Sequence, residues 1–394
     1  MVSTKKARTE VEAEQRRAAR IQREILAFGE VPKPTDGRLA EFEMWWVQHY
    51  EWFKGQGYLL RPRYAPDWVP SWQGKELDRF QYEDASASAL PNLLDGTRLS
   101  DGAYVIFKIV SKSFHPYEVE IGHFLSSEPL RSDPTNHCIP IYDVLSIPDD
   151  KDKVIIVMPL LREYTSPPFG TVGESVECFR QLFEGLHFMH KHRVAHRDCM
   201  SLNIMMDANT LFVDPFHPIH HLMKRDFSGF ARFKTRTERP VKYYLIDFGL
   251  SRRYDDSIAY PLEVPIWGGD KEVPEFQNSN EPRDPFATDV FYIGNTIRKD
   301  FVDSKANFEF MRPLIADMVQ DDPSKRPTMD EVVMRFETIR KGLSTTKLRS
   351  RITRKKETVM EAAYLTVVHW SHRLKYVAKR LPPVPTLPSL SRQN

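Results

Sequence analysis

Part-way along this 394-residue chain the hydrophobic period changes, and that change narrows the possible folds more than anything else in the sequence. Between about residues 92 and 161 apolar residues come in short runs broken by turn signals: NLLDGTRL, the SDG turn, AYVIFKIV, CIPIYDVL and, after the charged turn PDDKDK, VIIVMPLL. Runs of this kind predict strands joined by hairpins. Among them, HPYEVEIGHFL sets Ile121, Phe124 and Leu125 at helical spacing, with Pro116 at its first position. From Ser175 onward the spacing is that of long helices, with Val176, Phe179, Leu182, Phe183, Leu186 and Met189 in one stripe. A further helix, Met329 to Leu343, opens on the capping box Thr328 with Glu331 and buries Val332, Val333, Phe336 and Ile339. A sheet with one helix is thus followed by a mostly helical region, an α+β pattern.

Composition and charge exclude several classes. At 41% hydrophobic and 28% charged, the chain can bury two cores and still carry extensions. Its three cysteines, Cys138, Cys178 and Cys199, are odd in number and widely spaced, which suits a reducing compartment rather than a disulfide framework. The first residues, MVSTKKARTEVEAEQRR, are charged where a secretory signal is apolar, and the uncharged stretch from Ala362 to His372 is too short to span a bilayer. An intracellular protein, cytoplasmic or nuclear, is expected. The formal charge of +2 is unevenly spread, at +2 over residues 1–30, −10 over 31–340 and +10 over 341–394. An acidic body does not suit a phosphate-reading surface, so no nucleic-acid partner is expected.

Three short elements carry the chemistry, in fixed order. Lys108 ends VIFK inside an apolar strand, where an ammonium group needs an anion opposite it. HRDCMSLN sets Asp198 five residues ahead of Asn203, and LIDFGLS places Asp247 between an apolar strand and a glycine. In these elements the chain resembles the eukaryotic protein kinase family from about Asn92 to about Leu343, and it also resembles kinase-like proteins of mushroom-forming fungi. The resemblance implies a two-lobed fold, with a small β-rich N-lobe over 92–161 and a mostly helical C-lobe over 162–343. It implies a protein kinase that uses ATP and Mg2+ to phosphorylate a protein substrate, more on Ser or Thr than on Tyr. Lys108 would hold the α- and β-phosphates, Asn203 and Asp247 would ligate magnesium, and Asp198 would take the acceptor's proton. The lysine's carboxylate partner would be Glu118, which has Ile121 and Leu125 on its face, with Glu120 as the alternative. Met158 would be the gatekeeper, and Pro159, Leu160 and Leu161 the hinge facing adenine. The structural motif residues are His196, Arg197, Phe248 and Gly249. Val273, Pro274 and Glu275 stand where the family has its APE element, Arg326 resembles the arginine that pairs with that glutamate, and Asp289, opening DVFYIGNTI, resembles the aspartate that pins the catalytic loop.

The chain departs from the family at three points. No GxGxxG precedes Lys108, and Gly96 and Gly102 are read as turn glycines, which leaves DASASALPN as a candidate phosphate cover. Met200 stands where Ser/Thr kinases carry a lysine, and Leu202 where tyrosine kinases carry an arginine. Between Asn203 and Asp247 lie 43 residues, where the family has about a dozen. This insertion, about 207–240, offers Lys224, Arg225 and Lys234 as replacement cations, and its His217, His220 and His221 read as a surface loop rather than a metal site. These departures keep open a nucleotide sensor or scaffold of weak or absent activity.

The remaining segments read as appendages. Residues 1–36 predict a polar helix, and 37–91 an aromatic segment, FEMWWVQHYEWFKGQGY, docked on the main domain and followed by a connector. Cys199 reads as a small buried hydrophobe. Ser251, Tyr254, Ser257 and Tyr260 are candidate phosphorylation positions, with Arg197, Arg252 and Arg253 as cations to pair the phosphate. In the basic tail, 344–394, Val359 to Leu381 mixes apolar and cationic residues. Charge complementarity favours packing on the acidic body over contact with an anionic membrane. KRLPPVP matches a ligand pattern for proline-motif-binding modules, and an extended terminus is the plainer reading.

Overall fold

The computed structural model describes residues 39–75, 82–88, 90–266 and 269–387. The helix expected over 1–36 lies outside them. The described residues divide into two compact units, the first formed by those within 39–123 with 140–160 and 212–233, the second by those within 124–139, 161–211 and 234–387.

The first unit is built on a five-stranded antiparallel sheet, in the order β1-β2-β3-β5-β4. Its strands are β1 (Tyr58–Leu60), β2 (Leu93–Arg98), β3 (Tyr104–Ser111), β4 (Asp143–Ser146) and β5 (Lys153–Pro159). The sheet therefore starts earlier than the expected boundary at 92, because Tyr58–Leu60 pairs with Gly96–Arg98. Gly96 lies within β2 and is not a turn residue, whereas Gly102 does take a left-handed turn conformation, at φ +73°.

Directly opposed residues of antiparallel strands point to one face. On one face Leu94, Val105, Phe107, Ile155 and Val157 meet Trp46 and Phe53 from the short helices α1 (Met44–Gln48) and α2 (Tyr50–Gly55). The aromatic segment is thus docked, as its Trp content requires. Beside this core the buried carboxylate of Glu43 takes Arg63 Nε and Nη2, each at 2.8 Å, and Tyr64 Oη at 3.0 Å. On the other face Val110, Val154 and Ile156 pack with Val119 of α3 (Glu118–Ser126) and with Met158. That helix starts two residues after Pro116, so the proline precedes it.

The second unit is mainly helical. Its central helix α4 (Val172–Lys191) begins on Thr171, whose hydroxyl accepts from Glu174 N, and buries the whole expected stripe from Val176 to Met189. Short antiparallel strands β6 (Arg162–Glu163), β8 (Ile204–Met206) and β9 (Tyr243–Leu245) form one sheet, and β7 (Val194–Ala195) pairs with β10 (Arg252–Arg253). Helices α5 (Pro274–Gln277), α6 (Pro285–Ile297), α7 (Arg312–Met318), α8 (Met329–Gly342) and α9 (Thr345–Leu348) follow. The helix expected from Asp289 begins four residues earlier, because Asp284 caps it by accepting from Phe286 N. In α8 the Thr328–Glu331 capping box is present, and Val332 and Phe336 are buried while Val333 and Ile339 are half-buried.

The tail helix α10 (Val359–Ala378) lies in this unit. Tyr376, buried on its inner side, donates to Thr235 Oγ1 at 2.8 Å, and Lys375 pairs with Glu238 at 2.6 Å. Beyond it, Pro383 O sits where a Cβ on Gly173 would be, 1.8 Å away, so only glycine admits the chain there. Pro385 is buried in the same stretch. Among the described residues, no helix is long and apolar enough to cross a membrane.

Candidate active site

Within the first unit, β3 presents Lys108 and α3 presents Glu118, with Lys108 Nζ 2.5 Å from Glu118 Oε1. Glu118 is buried and Glu120 exposed, which decides between the two carboxylates. Lys108 lies opposite Leu93 and Ile156, and Ile106 lies opposite Asp95 and Met158, so all six share one face of the sheet. Met158 is half-buried on it, and Leu160 is buried with its N–H donated to Tyr104 O at 3.1 Å. Leu161 begins the second unit.

The same face carries a charge cluster that the sequence did not announce. Asp95 receives Arg225 Nη2 at 2.6 Å and faces Arg61 Nε at 3.2 Å. Arg61 Nη1 reaches Glu83 at 3.1 Å, and Glu83 in turn meets the fully buried His217 ring at 3.2 Å. Burial alone would raise the Glu83 pKa, but His217 and Arg61 outweigh it and hold the carboxyl below its usual range. The Arg225 guanidinium also lies 4.1 Å over the Tyr104 ring. A cavity of about 550 Å³ opens here, lined in part by Leu59, Arg61, Thr97, Tyr104, Pro215 and Arg225.

Arg225 and His217 belong to the insertion. Instead of a surface loop, its segment 212–233 packs into the first unit, with Phe212, Phe216 and His217 buried. Arg225 is paired with Asp95 and Lys224 lies 4.0 Å from Asp214, while Lys234 is exposed. The sequence did hold one signal: Asp95 sits inside the strand NLLDGTRL, and the argument that gives Lys108 an anion gives Asp95 a cation.

The second unit gathers the other candidates. Asp289, fully buried on α6, accepts from both His196 N and Arg197 N at 2.7 Å. Its carboxylate thereby holds the loop at a point where Arg197 has φ +66°. Asn203 Nδ2 donates to Asp198 O at 2.8 Å and to Asp198 Oδ2 at 3.0 Å, leaving Asn203 Oδ1 as an oxygen donor. Asp247 also takes a left-handed conformation, φ +66°, and one of its oxygens accepts from Gly249 N at 3.2 Å. Phe248 is buried, its ring 5.8 Å from that of His196. Gly269, at φ +73°, lies against Asp198, since a Cβ there would be 2.9 Å from Asp198 Oδ1. Arg326 grips Glu275 through two bonds of 2.8 and 2.6 Å.

Around the segment after Asp247, the cations have other work. Arg197 pairs with Glu263 at 3.2 Å and donates to Leu250 O and Val264 O. Glu263 also accepts from Tyr254 Oη at 3.2 Å, and Arg253 stacks 3.6 Å over Phe124. A fixed carboxylate thus occupies Arg197, one of the three arginines that the sequence offered to a phosphate. Cys199 is fully buried, and burial pushes its thiol pKa well up, which keeps it unreactive.

His196 makes the site sensitive to acid. Its Nδ1 lies 3.3 Å from Asp198 N, an N–H donor, and its Nε2 lies 3.0 Å from Ile246 O, so the ring is bonded as a neutral imidazole. Burial holds its pKa below the usual value against the pull of Asp289, and burial does the same to His137. Above about pH 6.5 both rings are neutral in folded and unfolded chains and cost nothing. As pH falls below that, the unfolded chain takes up protons ahead of the folded one, so stability is lost by at most about 1.4 kcal/mol per pH unit for each ring. The melting temperature is expected to fall steadily between pH 6.5 and 5, and a flat profile there would contradict the neutral-ring assignment.

The chain also matches parts of three known protein kinases. The chain is 32% identical over 114 residues to the Saccharomyces cerevisiae serine/threonine-protein kinase CAK1, covering 28% of this chain and 22% of the relative. It is 30% identical over 120 residues to mouse NUAK family SNF1-like kinase 1, covering 29% and 18%, and 27% identical over 138 residues to human NUAK family SNF1-like kinase 2, covering 33% and 22%. The chain thus spans about a fifth of the length of these relatives. No family model matches it. The protein is kinase-like over about a third of its length.

Proposed function

We propose that the chain is an ATP-dependent protein kinase acting on Ser or Thr hydroxyls. The observation that carries this reading is the Asp198–Asn203 pair on a loop held by Asp289, in a chain that also pairs Lys108 with Glu118. The acceptor oxygen attacks the γ-phosphorus, the bond from that phosphorus to the β–γ bridging oxygen breaks, ADP leaves, and the acceptor's proton passes to the Asp198 carboxylate. Lys108, oriented by Glu118, holds the α- and β-phosphates. Asn203 Oδ1 and the Asp247 carboxylate are the hard oxygen donors suited to magnesium, which neutralises phosphate charge when bound. Similarity to named Ser/Thr kinases supports the hydroxyl class.

A second reading, a nucleotide sensor or scaffold of weak activity, is favoured by the Asp95–Arg225 cluster. It puts charge and insertion residues on the sheet face that carries Lys108, in a chain that also lacks a glycine-rich loop and has Met200 beside Asp198. It also agrees with the resemblance to the fungal kinase-like proteins.

One experiment separates the readings: a thermal shift with Mg·ATP beside a labelled-phosphate assay on the full chain and Lys108→Met. The variant keeps the aliphatic stem and removes the charge. It is expected to stay folded and to lose the ATP-induced shift together with at least about 90% of transfer, since one phosphate-facing cation is worth a few kcal/mol. Equal shift and equal transfer in the variant would remove Lys108 from the site. A wild type that shifts with Mg·ATP but transfers nothing would decide for the sensor.

A further inference from the structure

The inner side of α10 is occupied, as Tyr376 and Lys375 show, but its outer side is not polar. Met360, Tyr364, Val367, Trp370, Leu374 and Val377 are all exposed, Val367 at 71% and Leu374 at 67%. At 100° per residue these six span an arc of roughly 140°. A helix packed on a globular body normally turns its apolar stripe inward, and soluble monomers rarely display a continuous apolar patch of this kind. No described residue outside the helix covers the arc.

The charges around the arc identify what does. Arg373 marks one edge and lies 4.8 Å over the Trp370 ring, while Lys375 at the other edge is taken up by Glu238. Arg354, Lys355 and Lys356 precede the helix, and Lys379 and Arg380 follow it, all five exposed. Residues 341–394 hold 12 basic and 2 acidic groups. Two such tails would repel each other across a dimer. An apolar arc bordered by Arg373 along one edge and by exposed cations at both ends matches acyl chains beneath acidic headgroups.

We propose that the outer arc of α10 is a docking surface for an anionic lipid bilayer, on which the helix lies parallel to the membrane while its inner side stays packed on the second unit. Body packing and membrane contact are then opposite faces of one helix. The proposal is independent of any kinase activity.

The test is co-sedimentation of the full chain with phosphatidylcholine vesicles and with vesicles of phosphatidylcholine and phosphatidylserine at 7:3. Binding to the anionic vesicles is expected to exceed binding to the neutral ones at least about tenfold in 0.1 M salt and to weaken in 0.5 M salt. V367E/L374E is expected to lower it at least about tenfold with an unchanged melting temperature, because both side chains point outward. K379E/R380E is expected to lower it about 25-fold or more, since each surface cation contributes about fivefold. The proposal is overturned if neither vesicle binds, or if V367E/L374E binds as well as wild type. A lower melting temperature in V367E/L374E would mean that the chain itself covers the arc, and a concentration-dependent dimer dissolved by these changes would mean that a second copy does; either result also overturns it.

Discussion

Asp198→Asn is expected to reduce phosphate transfer by two to four decades while leaving Mg·ATP affinity within a few-fold, whereas Asp247→Asn is expected to lose both. The difference comes from where each carboxylate acts. In the proposed reaction Asp198, whose Oδ2 accepts from Asn203 Nδ2 at 3.0 Å, takes the acceptor's proton, and an amide accepts no proton at neutral pH. Its loss is therefore felt in the transition state rather than in the bound ground state. Asp247 already has one oxygen engaged by Gly249 N. In the proposed reaction it acts on the bound Mg·ATP itself, so its neutral amide would weaken binding before any chemistry begins. Both residues lie on loops fixed by other groups, Asp198 through Asp289 and Asp247 through its own turn, so neither change should unfold the chain. The readouts are the Mg·ATP thermal shift and labelled-phosphate transfer on wild type and both variants. Transfer that survives Asp198→Asn unchanged would remove that residue from the chemistry, and indistinguishable behaviour of the two variants would break the division of roles.

Arg326→Ala should give the largest loss of stability, about 3–5 kcal/mol. The Arg326 side chain is fully buried and Glu275 nearly so, and the two are joined through both guanidinium nitrogens. Truncating the arginine leaves a buried carboxylate with only the Thr288 hydroxyl at 3.1 Å, and a charge stranded in that way costs far more than the intact pair contributes. In a unit of this size each kcal/mol moves the melting temperature by about 2–4 °C, so a fall of about 10 °C is expected by calorimetry. The double change R326M/E275L, which removes both charges, should recover much of the loss. A melting temperature within 2 °C of wild type in the single variant would show that Glu275 finds another partner.

What the sequence made legible were the residues whose partners follow from a motif in register. Glu118, Asp289 and Arg326 could each be paired on paper because the motif states which group answers which. The central helix was readable for a different reason, its single apolar stripe having one side to bury. Other features escaped because their cause is remote or local and small. Three residues, Tyr58–Leu60, are too few to show a period, so the first strand of the sheet was hidden inside an aromatic segment. Asp284, the N-cap of α6, was overlooked in favour of the apolar run that follows it. The tail helix carries Leu365, Val368 and Tyr376 on one side and Val367, Trp370 and Leu374 on the other. A pattern apolar on two faces does not choose between body and membrane. Asp95 and Arg225 remained unpaired on paper because nothing along the chain ties a strand aspartate to an arginine in a distant insertion.

That last separation sets the order in which the protein can be completed during synthesis. Asp95 and Arg225 are 130 residues apart, so at a ribosomal pace of 5–20 residues per second the strand waits about 7–26 s for its partner. The five strands emerge by residue 159, and they can pair as soon as they do. During the wait, however, Arg61 alone faces both Asp95 and Glu83, and the face stays acidic and hydrated. His217 and Arg225 arrive together and close it. The first unit is therefore the earlier to begin folding and yet depends on a segment, 212–233, made after the whole of α4, which leaves its Lys108-bearing face open to a chaperone or a small ligand until residue 233 has left the ribosome.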